Sequence, residues 1–217
     1  MIKRFEKAEG RYLEKIIGQD RMSFARSDTK DFYDLVELSK MGEYSGSVII
    51  FYDFDSGNVY KPFEKKKNVI YGDPVYTEGY YYFLQGDFCE KKLVLYRYIP
   101  EKILEKVTRL DIEEVDLYNL RIIGDSVHII SQDDNFTCYY PEKFSFPRED
   151  NESAAFIADG KIYFRAWIEE GWDEENECAA DQYRYYEKVI IKDFKGNTLS
   201  DDVGALCQAA DGTWWIA

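Results

Sequence analysis

Residues 79–98 read GYYYFLQGDFCEKKLVLYRY, and this stretch decides the fold class. Two runs rich in aromatic and aliphatic residues flank a polar segment with Gly and Asp, the pattern of two antiparallel strands joined by a turn. Similar short runs, punctuated by Gly, Asp, Asn and Pro, recur along the chain, and helical periodicity is scarce. The sequence therefore predicts an all-β fold.

Two landmarks recur five times each. A turn followed by an apolar strand occurs at residues 29–33, 78–82, 124–128, 159–163 and 211–215. A strand, tight turn and second strand occur at residues 50–60, 95–102, 138–143 and 191–197, and the fifth copy is displaced to residues 4–13. The C-terminal strands, 205–210 and 213–217, therefore lack the two partners that the N-terminus supplies. The displacement of the fifth copy to the N-terminus predicts five four-stranded units, one of them split between the chain ends.

In this recurrence the chain resembles the β-propeller superfamily, in its five-bladed, loosely defined bacterial form. No Trp-Asp dipeptide ends a blade as in WD40 repeats, and the double glycine of kelch repeats is absent. The resemblance implies one domain over residues 1–217, with four-stranded antiparallel blades closed by the N-terminal strands joining the C-terminal pair. It implies no reaction. The expected blades are residues 21–67, 73–110, 112–150, 152–203, and 205–217 together with 1–19.

A β-sandwich or two smaller β units is the alternative architecture. A short helix within residues 102–107 or 109–115 is compatible with either, because Glu, Lys and Leu dominate there.

The charge balance narrows the class of partner. Asp and Glu number 42 against 28 Lys and Arg, a net charge of −14. Nucleic acid and anionic membranes are disfavoured, because binding phosphate requires a basic surface. No leader-like or membrane-spanning apolar run is evident, which favours a cytoplasmic protein. The four cysteines are dispersed without a CxxC pair, so free thiols are expected, with no metal or cofactor.

Catalytic signals are weak. His128 is the sole histidine and falls inside a strand, where a buried structural role is expected. Asp53 and Asp55 belong to DFDSGN, which has turn composition and lacks the ligand spacing of a calcium loop. Within the expected innermost strands Asp116 is the one acid, so a glycoside hydrolase using paired channel carboxylates is a minor alternative. We expect no catalytic residue.

One segment departs from the repeat. Residues 169–181 read EEGWDEENECAAD and carry seven acids and no base, equal to half of the net charge. A long charged loop on a rigid scaffold favours binding, and an exposed Trp there favours a contact site. The alternative is a solvated loop whose Trp folds back on its own blade. The candidate binding residues are Glu169, Glu170, Trp172, Asp173, Glu174, Glu175 and Glu177.

The sequence thus favours a non-enzymatic binding module for a partner with a basic surface, since acidic faces steer cationic partners. One version is an immunity or antitoxin-type protein that caps a basic effector such as a nuclease. Carbohydrate binding is the alternative, because exposed aromatic rings stack on sugars. Its candidate residues lie at the start of the second strand of a blade: Tyr80, Tyr81, Trp214 and Trp215. Packing of one blade on the next is another reason for aromatic residues at these positions.

Overall fold

The computed structural model describes residues 2–9, 11–41, 44–173, 175–176 and 178–217. These residues form five antiparallel sheets that follow one another along the chain. The prediction of an all-β fold is confirmed.

The first four sheets have four or five strands. The first contains β1 (Glu14–Lys15), β2 (Met22–Arg26), β3 (Ile49–Asp53) and β4 (Val59–Tyr60). The second contains β5 (Val69–Tyr71), β6 (Val75–Thr77), β7 (Tyr80–Asp87), β8 (Lys92–Ile99) and β9 (Ile103–Asp111), with both β5 and β6 paired to β7. The third contains β10 (Arg121–Ile123), β11 (His128–Gln132), β12 (Asn135–Tyr140) and β13 (Phe144–Pro147).

The fourth sheet is the most extended, and the fifth is the smallest. The fourth contains β14 (Glu152–Ala158), β15 (Lys161–Asp173), β16 (Cys178–Lys192) and β17 (Thr198–Val203). The fifth contains β18 (Leu206–Gln208) and β19 (Trp214–Ile216).

Buried cores join each sheet to the next one along the chain. Alternating side chains on each strand point to opposite faces, so one sheet contributes to two cores. Between the first and second sheets, the Phe51 ring lies 5.0 Å from that of Tyr98. Phe136 and Phe164 meet at 5.5 Å between the third and fourth sheets. The second–third core is largely aliphatic, with Leu84, Leu95, Leu120 and Ile122 all buried.

Residues near the beginnings of all five sheets line one open pocket of about 700 Å³. Its wall includes the β1–β2 and β10–β11 turns, the ends of β6 and β14, and the β18–β19 turn. One residue from each sheet illustrates the arrangement: Gly18, Thr77, Gly124, Phe156 and Gly212. Beside this pocket the fifth sheet's segment contacts that of the first, where the Gly18 N–H donates to the Ala210 carbonyl at 3.3 Å.

The expected strands at residues 4–13 are wrong. None of the described residues before Glu14 lies in a strand, and the fifth sheet has two strands rather than four. The N-terminal segment instead covers the face of the first sheet that points away from the second, because Phe5 packs there against Tyr52 at 5.1 Å. The Glu6 N–H donates to the Gly57 carbonyl at 3.0 Å.

The innermost strand of the first sheet also differs from expectation. The sequence places the strand at residues 22–26 nearest the centre, whereas β1 pairs with β2 and makes it the second strand. The two residues of β1 are too few to produce a periodic signal.

A helix, α1 (Phe32–Met41), replaces the turn and strand expected at residues 29–33. Asp31 and Asp34 form a reciprocal cap, in which each carboxylate accepts the backbone N–H of the other residue. The buried Phe32 ring then packs on Gly72 and Gly86, where an added Cβ would lie 3.0–3.1 Å from it. Residues 103–107 belong to β9, so a helix there is excluded, and a 3-10 turn forms at Ile112–Glu114.

Among the described residues, no helix combines the length and apolar character required to cross a bilayer.

Candidate binding site on the fourth sheet

The segment that departs from the repeat is a two-stranded arm, not a loop. β15 and β16 have 13 and 15 residues, against 7 and 6 for their neighbours β14 and β17. β14 pairs with β15 as far as Ala166, and β17 pairs with β16 only up to Lys188. No strand formed by the described residues flanks the hairpin beyond these positions. This hairpin spans residues 167–187, and we call it the arm.

Local hydrogen bonds shape the end of the arm. The Asp173 carboxylate accepts the backbone N–H groups of Glu175 and Asn176 at 3.0 and 3.1 Å. Hydrogen bonding, mainly from Asn176, lowers the pKa of Asp173. A register shift follows Glu170, where Gly171 has a φ of +77°. The arm thus bends near its tip, as β-bulges generally make strands do.

Four aromatic residues share one face of the arm. Trp167 and Tyr185 stack with ring centroids 4.8 Å apart and planes 16° from parallel. Tyr183 lies 6.4 Å from Tyr185 and 6.0 Å from Trp172, so the rings form a continuous row. We call this row, together with Glu169, the arm face.

The aromatic side chains of the arm face remain open to solvent. Trp167 and Trp172 are each 48% exposed, and Tyr185 is 61% exposed. Trp172 touches Tyr183 rather than folding back onto the core of its own sheet. An exposed row of large aromatic rings on a protruding hairpin is typical of an interaction surface.

The arm face and the face of the fourth sheet that packs against the fifth sheet are the same surface. The fifth sheet covers the part nearer the core, and the arm face is the uncovered part. Trp214 of β19 stacks on Phe156 at 4.6 Å, and the Arg165 guanidinium lies 5.7 Å from the Trp214 ring. Arg165 shares a strand face with Trp167, two residues further along β15. The fifth sheet therefore ends where the arm face begins.

The acids of the arm are in part engaged. Glu169 accepts a hydrogen bond from the Tyr183 hydroxyl, which raises the pKa of Tyr183. Glu170 accepts from the Tyr186 hydroxyl at 2.8 Å and from Arg184 at 2.6 Å, and these bonds lower the pKa of Glu170.

The other candidates differ in what the structure shows. Asp173 and Glu175 belong to the turn. The predicted site residues Glu174 and Glu177 lie outside the described residues. Three lysines of the short basic runs at residues 65–67 and 91–92 pair with local acids: Lys66 with Asp87, Lys91 with Glu113, and Lys92 with Asp111.

Sequence reasoning missed Trp167, Tyr183 and Tyr185. The signal that could have found them is the alternation of side chains along a strand. Tyr183 and Tyr185 are two residues apart in β16 and so point to the same face, and the register of β15 with β16 places Trp167 on that face too. Side-chain alternation is informative only in a strand. Because the segment was interpreted as a loop, the alternation did not point to a shared face.

The residues considered for catalysis or cation binding form local hydrogen bonds and ion pairs. His128 is buried in β11, its Nδ1 lies 2.7 Å from the Ser126 carbonyl oxygen, and burial lowers the pKa of its imidazole. Asp53 is fully buried, pairs with Arg21 at 2.6 Å, and accepts the Asp55 N–H, as a turn residue does. Asp116 precedes β10 rather than lying in it, and accepts the Tyr118 N–H.

Other chemistry is equally sparse in the part of the chain that the structure describes. No cluster of three or more His, Cys, Asp or Glu residues there is arranged to hold a metal ion. The four cysteines are free, as the sequence predicts, and burial raises the pKa of Cys138 to about 11.

Comparison with protein-family models gave no match, and comparisons with curated proteins and with solved structures gave none either.

Proposed function

We propose that the chain is a five-bladed propeller that acts as a non-enzymatic binding module, with the arm as its contact site. The successive cores between sheets and the pocket lined by all five sheets support the propeller arrangement. A rigid ring with one projecting hairpin is a suitable scaffold for recognition.

The exposed aromatic row carries the proposal. Trp, Tyr and Arg are the residue types most enriched among the contacts that dominate protein interfaces. The arm face presents Trp167, Trp172, Tyr183 and Tyr185 together, with Arg165 at its base. Rings already stacked lose little conformational freedom when a partner covers them.

The proposed partner is a protein with a basic surface. The arm adds Glu169, Asp173, Glu175 and Asp181 around the aromatic row, within a chain of net charge −14. Such a field accelerates encounter with cationic partners and disfavours acidic ones. Capping of a basic effector such as a nuclease, in the manner of an immunity protein, is one specific form of this function.

Paired variants test the arm. Trp167→Ala with Tyr185→Ala removes the stacked pair, and Tyr33→Ala with Tyr118→Ala removes another exposed aromatic pair, 5.6 Å apart, as the matched control. In a quantitative pull-down, the expected partner is retained by the native chain and the control but lost with the arm variant. Its retention should also weaken as salt is raised.

Retention of every partner by the arm variant, also when combined with Glu169→Lys and Glu175→Lys, would contradict the proposal.

Carbohydrate binding is the second candidate, and the stacked Trp167–Tyr185 pair favours it because flat aromatic surfaces bind sugar rings. The original candidates for this role are less suited: Tyr81 is buried, Trp214 is packed on Phe156, and Trp215 alone of them is strongly exposed. A glycan array separates the two functions. Hits lost with the arm variant, without a protein partner, would favour sugar binding.

A further inference from the structure

The fifth sheet ends in an open strand edge. Ala205 and Ala217 exchange two backbone hydrogen bonds, 2.9 and 3.0 Å long. Because bonded and non-bonded pairs alternate in antiparallel sheets, Trp215 also bonds towards β18, whereas Trp214 and Ile216 direct their N–H and C=O groups away from it. No other strand formed by the described residues pairs with β19.

In the other four sheets the second strand has a partner on both sides. Their outermost strands also carry features that discourage further pairing. β9 has charged residues along its length, β13 ends at Pro147, β17 contains Asp201 and Asp202, and β4 has two residues with the Val59 N–H bonded to Glu6. β19 has no charge and no proline, and its Trp215 and Ile216 are 64% and 50% exposed.

We propose that β19 binds an extended segment of a partner protein by strand addition, and that this segment alternates basic and apolar side chains. The site is separate from the arm face and does not rest on the function proposed for it. Both backbone groups of Trp214 and of Ile216 become hydrogen-bonded in this complex, which is how edge strands recognise peptides.

The surroundings of β19 determine the side chains of the added strand. Trp214 and Leu206 face the fourth sheet. Asp202 lies on that same face of the fourth sheet, since it pairs with Val189 of the fourth–fifth core, and its side chain is exposed. Side chains of the added strand that point to this face meet Asp202, and a basic residue complements it. Side chains on the other face lie beside Trp215, where an apolar residue is favoured.

A second copy of the chain is the competing occupant. Two chains of net charge −14 repel each other, whereas a basic segment is attracted. Charge therefore favours a different partner over self-association through β19.

Amide exchange measured by NMR on the full chain tests the proposal. The probe is a short, blocked peptide of alternating Lys and Val. In the free protein, the amides of Trp215 and Ala217 should exchange more slowly than those of Trp214 and Ile216. The peptide should slow exchange at Trp214 and Ile216. A Glu/Val peptide and an N-methylated Lys/Val peptide should leave both unchanged.

Two variants sharpen the result. Ile216→Pro removes an N–H that makes no bond to β18, so the fold should persist while peptide affinity falls at least about tenfold. Asp202→Lys should weaken binding of the Lys/Val peptide and leave the backbone edge intact. The arm variant, Trp167→Ala with Tyr185→Ala, should bind the peptide normally, which separates failure here from failure of the arm proposal.

Three results overturn the proposal. The first is no protection at Trp214 and Ile216 with saturating Lys/Val peptide. The second is protection in the free protein that grows with concentration, which assigns the edge to a second copy. The third is protection independent of concentration, which assigns it to the chain's own N-terminal segment.

Discussion

At the scale of single residues, two glycines with nearly the same positive φ lie in opposite surroundings. Gly46 has a φ of +83° and is buried, and an added Cβ would lie 1.8 Å from the Lys66 carbonyl oxygen. Gly79 has a φ of +82° and is exposed, with nothing within 4 Å of such a Cβ. The backbone penalty for alanine is therefore shared, and the steric penalty is not.

Alanine substitutions at both sites should separate the two penalties. Gly79→Ala should lower the free energy of unfolding by about 1–2 kcal/mol, the cost of a left-handed backbone with a Cβ. Gly46→Ala should cost about 1–3 kcal/mol more, because the obstructing atom is backbone and must move. Urea unfolding of the two variants checks this. Equal losses would show that the 44–47 segment does not lie against residues 66–69 as described.

Another residue-scale feature is a buried ion pair that sequence reasoning did not anticipate. Lys192 Nζ lies 2.6 Å from the Glu152 carboxylate, and both residues are buried at the third–fourth junction. The Lys192 ammonium also lies 5.2 Å from the Phe164 ring. Nothing in the local sequence at either position signals a partner 40 residues away. Such pairs form only through the register of β14, β15 and β16.

At the scale of elements, α1 is the part that the repeat pattern missed. The aromatic pair Phe32 and Tyr33 after a turn resembles the start of a strand, but the cap formed by Asp31 and Asp34 begins a helix. The buried Phe32 then fixes that helix to the second sheet. Local capping and one tertiary contact thus outweighed the strand propensity of the aromatic residues.

Asp31→Ala should lower the free energy of unfolding by about 1 kcal/mol, because it leaves the Asp34 N–H without its cap. Lys30→Ala is the matched control, since the Lys30 side chain forms an exposed ion pair with Asp34 at 4.0 Å and its loss should change stability by less than about 0.5 kcal/mol. Thermal unfolding followed by circular dichroism measures both. If Asp31→Ala left the free energy of unfolding unchanged, the cap would not stabilise α1.

The length and regularity of each strand determined how much of the fold and of the candidate site could be predicted from the sequence. The strands of the second sheet were predictable because their alternation runs through long segments such as β7 and β8. The acidic composition of residues 169–181 was also evident from the sequence, whereas the exposure of Trp172 was left open and is given by the structure. The pairing of Trp167 with Tyr185 was not, since it depends on register across a hairpin whose existence the acidic residues disguised.

At the scale of the whole molecule, the cores that join the sheets are unequal. The first–second core buries a large group of aromatic rings, among them Phe51, Tyr71 and Phe83. In the described part of the chain, the fourth–fifth core has three buried residues: Phe156, Val189 and Leu206. Because burial of apolar surface is the main source of stability, the fifth sheet is held least firmly.

Hydrogen exchange should therefore be slowest in β7 and β8 and fastest, among the sheets, in β18 and β19. Mass spectrometry of peptic fragments measures this order. Trp214→Ala removes the ring stacked on Phe156 and should accelerate exchange in the fifth sheet while leaving β7 and β8 unchanged. Uniform exchange across the sheets, or a Trp214 variant that destabilises all of them equally, would contradict a weakly held fifth sheet.

The order of the cores also bears on how the chain reaches its fold during synthesis. Each core joins sheets that are neighbours in sequence, so apolar surface exposed by one sheet is covered as soon as the next emerges from the ribosome. Contacts of this kind keep loop-closure entropy small and favour rapid folding. The Gly18–Ala210 contact, which spans nearly the whole chain, can form only at the end. A nascent chain stalled after β9 already contains every residue of the first–second core.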